Sequence, residues 1–189
     1  MTLPARIALL ILLPALPAAA DADADAGVDI PALVECRQGI AEHAALGAAT
    51  ADPLKAVALG LQPMPQQNPF MTEFRLAHPT TVFGRQTDHI AVAGASVMAV
   101  LDLDDPRPLA SELKLDTAYD ADGKFMAGRE VVSRDTTDPK TGDPMIESII
   151  LSVSTVRSHP GQTLAGCTYS LDLPAEEATA PAATASAEG

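Results

Sequence analysis

The sequence has no tryptophan, and only two tyrosines and four phenylalanines among its 189 residues. A core therefore has to be assembled from Leu, Ile, Val, Met and Ala. Basic residues are scarce as well, with 12 Lys and Arg against 25 Asp and Glu and a formal net charge of −13. A nucleic-acid duplex carries one negative charge per ~1.7 Å of axis, and cytoplasmic membrane leaflets are also anionic. With no basic cluster to offset the imbalance, nucleic-acid binding and peripheral membrane binding are both disfavoured, and any charged partner is expected to be cationic. No apolar run reaches the roughly 20 residues that span a bilayer. The phosphate-cradling G-x-x-x-x-G-K-[ST] loop, the dinucleotide G-x-G-x-x-G and the zinc-protease H-E-x-x-H are all missing. No cofactor and no assembled catalytic set is expected, and no motif carries a resemblance to a known family.

What is present begins with a leader. Arg6 is followed by an apolar run from Ile7 to Leu16, then Pro17 and Ala18-Ala19-Ala20. A basic start, a short apolar stretch and a small-x-small end make up a secretory signal peptide. We assign residues 1–20 to it, with the cut after Ala20 or Ala22, and residues 21–28 to an acidic spacer. Cleavage removes Arg6 and no acid, leaving 11 basic and 25 acidic side chains. The expected location is periplasmic or secreted, with no membrane insertion after cleavage. Leu164-Ala-Gly-Cys167 resembles a lipobox, but it lacks the basic start and apolar run of one. Residues 29–173 form one domain. Residues 174–189, rich in Ala and Glu, have nothing large and apolar to bury and read as a disordered tail.

Two cysteines, Cys36 and Cys167, are too far apart for a C-x-x-C redox pair and too few for a zinc site unless histidines join them. In an oxidising compartment they are expected to form a structural disulfide, with free thiols or an intermolecular bridge as alternatives. Closing roughly 130 residues would stabilise the fold by up to about 4–5 kcal/mol on the chain-entropy model.

The pattern predicts helices first and strands afterwards. Asp29 and Pro31 open a helix with Leu33, Cys36, Ile40 and Ala44 on its buried side and Gly47 as its stop. Asp52 and Pro53 open a second, with Leu54, Val57 and Leu61 on one side. Gln62 to Pro69 is an extended Pro-rich connection. About six strands follow: Thr72 to Phe83 with a kink at Pro79, Ile90 to Ala93, Val97 to Leu101, Lys124 to Ser133, Met145 to Val156 and Thr163 to Leu173. Leu109 to Leu113 reads as a helical turn. Alternation in the last strand places Cys167 on its apolar side. Helices grouped before an antiparallel sheet imply an α+β fold, with a helix-to-strand disulfide.

Candidate chemistry is thin. Asp120-Ala-Asp122-Gly123 lacks the first and twelfth ligands of a calcium loop and reads as a β-turn. Gly94-Ala-Ser96 lacks the second glycine of a nucleophile elbow. Arg129 and Glu130 interrupt a strand as a solvated or cross-strand pair. The methionines, Met64, Met71, Met98, Met126 and Met145, are spread as core filler. Of the four histidines, His43, His78, His89 and His159, the last three are the metal or acid–base candidates, with Glu73 and Asp88 near in sequence; scattered surface histidines are the ordinary alternative. The expected function is a non-catalytic binding, adaptor or inhibitor module acting on another envelope or extracellular protein. The alternatives are a periplasmic small-ligand or metal-binding protein, and a small hydrolase-type enzyme whose site only the fold assembles.

Overall fold

The computed structural model describes residues 27–138 and 140–174. The leader, most of the spacer and the C-terminal tail lie outside the described residues. The chain opens with three helices, α1 (Ile30–Val34), α2 (Ile40–Thr50) and α3 (Pro53–Ala58). It continues through β1 (Leu61–Pro63), β2 (Thr72–Val82), β3 (Arg85–Ala93) and β4 (Ser96–Leu101), and then a short helix α4 (Arg107–Glu112). The last four strands are β5 (Asp116–Ala121), β6 (Lys124–Thr137), β7 (Pro144–Ser154) and β8 (Thr163–Asp172). They form one antiparallel sheet of eight strands in the order β1-β2-β3-β4-β8-β7-β6-β5.

The sheet is two strands wider than the six expected, and the extra strands are its edges. β1 is the first part of the Pro-rich connection and pairs with β2 through Leu61 and Leu76. β5 is exposed at all six positions and has no apolar alternation to betray it. It is defined instead by the turn at Asp122 and Gly123, both at positive φ, which pairs Ala121 with Lys124. The kink expected at Pro79 is a register shift between Arg75 and Thr80 within one strand. Proline has no N–H to give to a ladder. Phe83 and Gly84, at φ 49° and 71°, close the β2–β3 hairpin in the left-handed geometry such turns require.

One face of the sheet, the inner face, packs against the helices through Phe74, Ile90, Val97, Leu101, Ile149, Leu151 and Tyr169. The first helix is shorter than the apolar spacing implies. It ends at Val34, and Cys36 turns out of it at φ 57°. Cys36 and Cys167 are joined, with Cα atoms 5.6 Å apart, so the turn brings a sulfur over β8 that a continuing helix would carry past it. The helix restarts at Ile40, where Glu42 accepts from the Gly39 N–H at 2.9 Å. Tyr169 donates its hydroxyl hydrogen to the Leu33 carbonyl at 2.6 Å, fastening α1 to the same strand. In α3 the Asp52 cap is present, accepting from Leu54 N at 2.9 Å. Its apolar side is not as expected: Leu54 and Val57 are exposed, while Ala56 and Leu61 are buried. A helix of six residues has room to bury one narrow stripe, and the small Ala56 allows the closer approach.

The opposite, outer face carries a smaller apolar cluster of Ala91, Val100 and Leu164, with Met71, Met98 and Val156 packed against it. Among the described residues no helix is long and apolar enough to cross a membrane.

Candidate metal centre on the outer face

The hairpin register decides which side chains meet on the outer face. Glu73 lies opposite Ala91 and Arg75 opposite His89, so Glu73 and His89 are diagonal neighbours within reach of long side chains. The third group comes from the β7–β8 connection, where Val156 packs on the outer cluster and draws the following residues over the same face. His159 Nε2 and His89 Nε2 lie 3.2 Å and 2.9 Å from one atom, Glu73 Oε2. The three ligand atoms lie within 4.8 Å of one another.

This cluster is largely shielded from solvent. The Glu73 side chain is 0 % exposed, His159 1 % and His89 14 %. An ionised carboxylate accepts only, so both imidazoles donate Nε2–H to it. His159 Nδ1 must then accept, and Ser158 Oγ is 2.9 Å away to supply the proton. Ser158 in turn accepts from Asn68 Nδ2 at 3.2 Å. A single chain of bonds therefore runs from the Pro-rich segment through Ser158 and His159 to Glu73. Asn68 also holds its own loop, accepting from Phe70 N at its side chain and from Met71 N at its carbonyl.

One atom is left out. Glu73 Oε1 is buried without a hydrogen-bond partner, alone among buried side-chain nitrogen and oxygen atoms of the described residues. A buried charge is stable only when paired and hydrogen-bonded, and an orphaned buried acceptor costs about 1–3 kcal/mol. The carboxylate thus has unused capacity on one oxygen and two imidazole nitrogens on the other. Two neutral imidazoles and a carboxylate are a ligand set for borderline divalent ions such as Zn²⁺. Ligand atoms about 2.1 Å from a tetrahedral ion sit about 3.4 Å apart; the two imidazole-to-carboxylate distances, 2.9 and 3.2 Å, would spread slightly to reach that, and all three ligand atoms lie within 4.8 Å of one another.

The same bonds also resemble a serine–histidine–acid relay. Ser158 is poorly placed for that work. Its Oγ is tied by Asn68, and it does not line the cavity beside His159, which is formed by Asp104, Lys124, Arg157 and Gly161. It orients the imidazole instead.

Of the three candidate histidines, two come together. His78 does not. It is exposed within the β2 irregularity between Arg75 and Thr80 and lines a separate cavity with Val28, Leu59 and Pro79. Asp88 is also apart, paired with Arg75 at 3.1 Å. His89 and His159 are not scattered surface histidines, because the fold buries His159 and partly buries His89 on a shared carboxylate. His43 stacks on Tyr169 with ring centres 4.8 Å apart, and burial lowers its pKa. The sequence reading missed Ser158 and Asn68. The adjacency of Ser158 and His159 was the available signal for the first; nothing local marks the second.

No protein-family model, no curated protein and no solved structure matches this chain. The class that the fold and site define is an eight-stranded antiparallel domain with helices on one face and a Glu–His–His cluster on the other.

Proposed function

We propose that this protein is an exported binder of one divalent transition-metal ion, held by Glu73, His89 and His159. The observation that carries the reading is the meeting of both Nε2 atoms at Glu73 Oε2 while Oε1 has no partner. Hydrogen bonding to the protein's own described groups leaves that oxygen unsatisfied. An ion bound by the carboxylate would neutralise it and take both imidazoles as ligands. Ser158 would then accept from His159 Nδ1–H, the outer contact that metal-bound histidines usually make. The disulfide supports an oxidising compartment for this activity.

The test is equilibrium dialysis of the full chain, purified without a metal-affinity tag, against Zn²⁺. One equivalent should be retained by the wild type and lost by His89→Ala, with near-ultraviolet circular dichroism confirming that the variant is folded. No retained zinc, or equal retention by the variant, would sink the reading.

A protein-binding role is a second reading with its own support. Tyr119, Met126 and Ile150 are exposed on β5, β6 and β7, and Tyr119 and Met126 are cross-strand partners. Neighbouring exposed apolar residues of this kind mark interaction surfaces. Capture of a defined partner by the wild type and not by Tyr119→Lys would support it; concentration-independent monomers with no partner in extracellular extract would count against it.

A further inference from the structure

Of the three groups in the cluster, only His89 has appreciable exposure; Glu73 and His159 are almost wholly shielded. Two cavities flank them. One, of about 420 Å³, is lined by the His89 ring with Arg75, Gln86, Asp88, Asp102 and Gln162. The other, of about 320 Å³, is lined by His159 with Asp104, Lys124 and Arg157. Either has room for a hydrated divalent ion, since about six waters take up about 180 Å³ at the ~30 Å³ each occupies in the liquid. Charge separates the two. In the His89 cleft Arg75 is matched by Asp88 at 3.1 Å, and Asp102 remains, an excess of one negative charge. In the His159 cavity Lys124 and Arg157 face Asp104 alone, an excess of one positive charge.

We propose that the His89 cleft is the port through which the metal ion enters and leaves the Glu73–His89–His159 centre, and that Asp102 is the residue that draws it in. The inference rests on the metal-binding reading and adds to it the path and the capture group. A cation is repelled at the His159 mouth and attracted at the His89 mouth, and the attractive mouth is the one beside the most exposed ligand. A cleft lined by one sign of excess charge focuses the field and raises the local concentration of the opposite ion. Asp102 directly follows β4 and is exposed. It accepts from the Gln162 side-chain amide at 2.8 Å, a neutral donor that orients the carboxylate and leaves its charge in place. A single carboxylate holds an ion weakly, and the centre offers two imidazoles and a carboxylate oxygen that has no partner among the described residues. An ion drawn to Asp102 is therefore passed inward rather than retained.

The experiment is stopped-flow mixing of the full chain with Zn²⁺ and a chromophoric indicator at low ionic strength. Asp102→Asn should slow zinc association about threefold, and Arg75→Gln, which frees Asp88, should speed it by about the same factor. Both differences should close in salt of about 1 M, where the Debye length is about 3 Å. Gln86→Trp fills the cleft from an exposed position of β3. It should slow association and release equally and leave Kd unchanged, which marks a path and not a ligand. Lys124→Gln, at the other mouth, should leave both rates as in the wild type. If zinc binds stoichiometrically but neither Asp102→Asn nor Gln86→Trp alters its rates, or if Lys124→Gln is the variant that speeds association, the port is overturned and metal binding stands. If zinc itself does not bind, the metal reading fails, and the port with it.

Discussion

His159 places its Nε2 3.2 Å from Glu73 Oε2, across 86 residues of chain, with both side chains almost wholly shielded from water. The contact joins the β7–β8 connection to the outer face of β2. Around it the Pro-rich segment, the connection and the sheet are bound to one another by side chains.

Ser158 should tune the metal without holding it. Ser158→Ala removes the hydrogen-bond partner of His159 Nδ1 and leaves all three ligands in place. Zinc affinity should fall about 10-fold or more, as for other loss of such outer partners. Competition with a chromophoric chelator measures this, and an unchanged affinity would show that His159 needs no orienting group.

The disulfide should be a large part of the stability. Its sequence separation is 131 residues, for which loop-closure entropy predicts about 5 kcal/mol and native bridges typically deliver 2–5. Urea unfolding of Cys36→Ser/Cys167→Ser should show a loss in that range. A loss under about 1 kcal/mol would mean that the Tyr169–Leu33 hydrogen bond and core packing hold α1 unaided.

Gly166 has no room for a side chain. A Cβ there would run into the Val97 carbonyl oxygen and sit 2.7 Å from Met98 Cα. Both contacts are backbone of the paired strand β4, which cannot yield without opening the ladder. Gly166→Ala should destabilise by about 3 kcal/mol or prevent folding. Gly84→Asn is the control at a turn that any small left-handed residue tolerates, and it should change stability by less than about 1 kcal/mol.

Acid should weaken the fold through His43. His43 lies on α2, and its partial burial against Tyr169 lowers its pKa below the usual 6.5. The unfolded chain therefore binds the proton first, and stability falls as pH drops below about 6.5, levelling off only below the folded-state value. His43→Phe keeps the stack and cannot titrate, so it should flatten this part of the stability–pH curve. Denaturant midpoints at pH 7.5 and 5 measure the difference. A curve as steep as that of the wild type would assign the acid response to other groups. The Arg107–Asp120 contact, which lowers the Asp120 pKa, acts at lower pH and is fully exposed to screening.

The six interior strands were legible in outline because their signals are local, but β3 starts at Arg85 and not at the expected Ile90, because the hairpin turn is the two residues Phe83 and Gly84 alone. Alternation put Cys167 and Tyr169 on one side, and Pro79 announced its own irregularity. β5 was not legible, since a strand exposed on both faces has no period to detect. The break at Cys36 was also hidden, because Leu33, Cys36 and Ile40 satisfy helical spacing whether or not the helix is continuous. Within the site, His89 and His159 stood out by residue type, and Glu73 only as a neighbour. His78 looked equally eligible; the irregularity after Arg75 separates it from the others.

By itself the sequence determined which segments alternate, where the chain turns, and that two cysteines face apolar surroundings, because each depends on a few neighbouring residues. Only the tertiary structure decided that β8 inserts between β4 and β7, and that the loop after β7 returns across the outer face. Long-range strand order and loop path are set by the packing of the whole sheet, and they alone bring residues 73, 89 and 159 to a single buried oxygen.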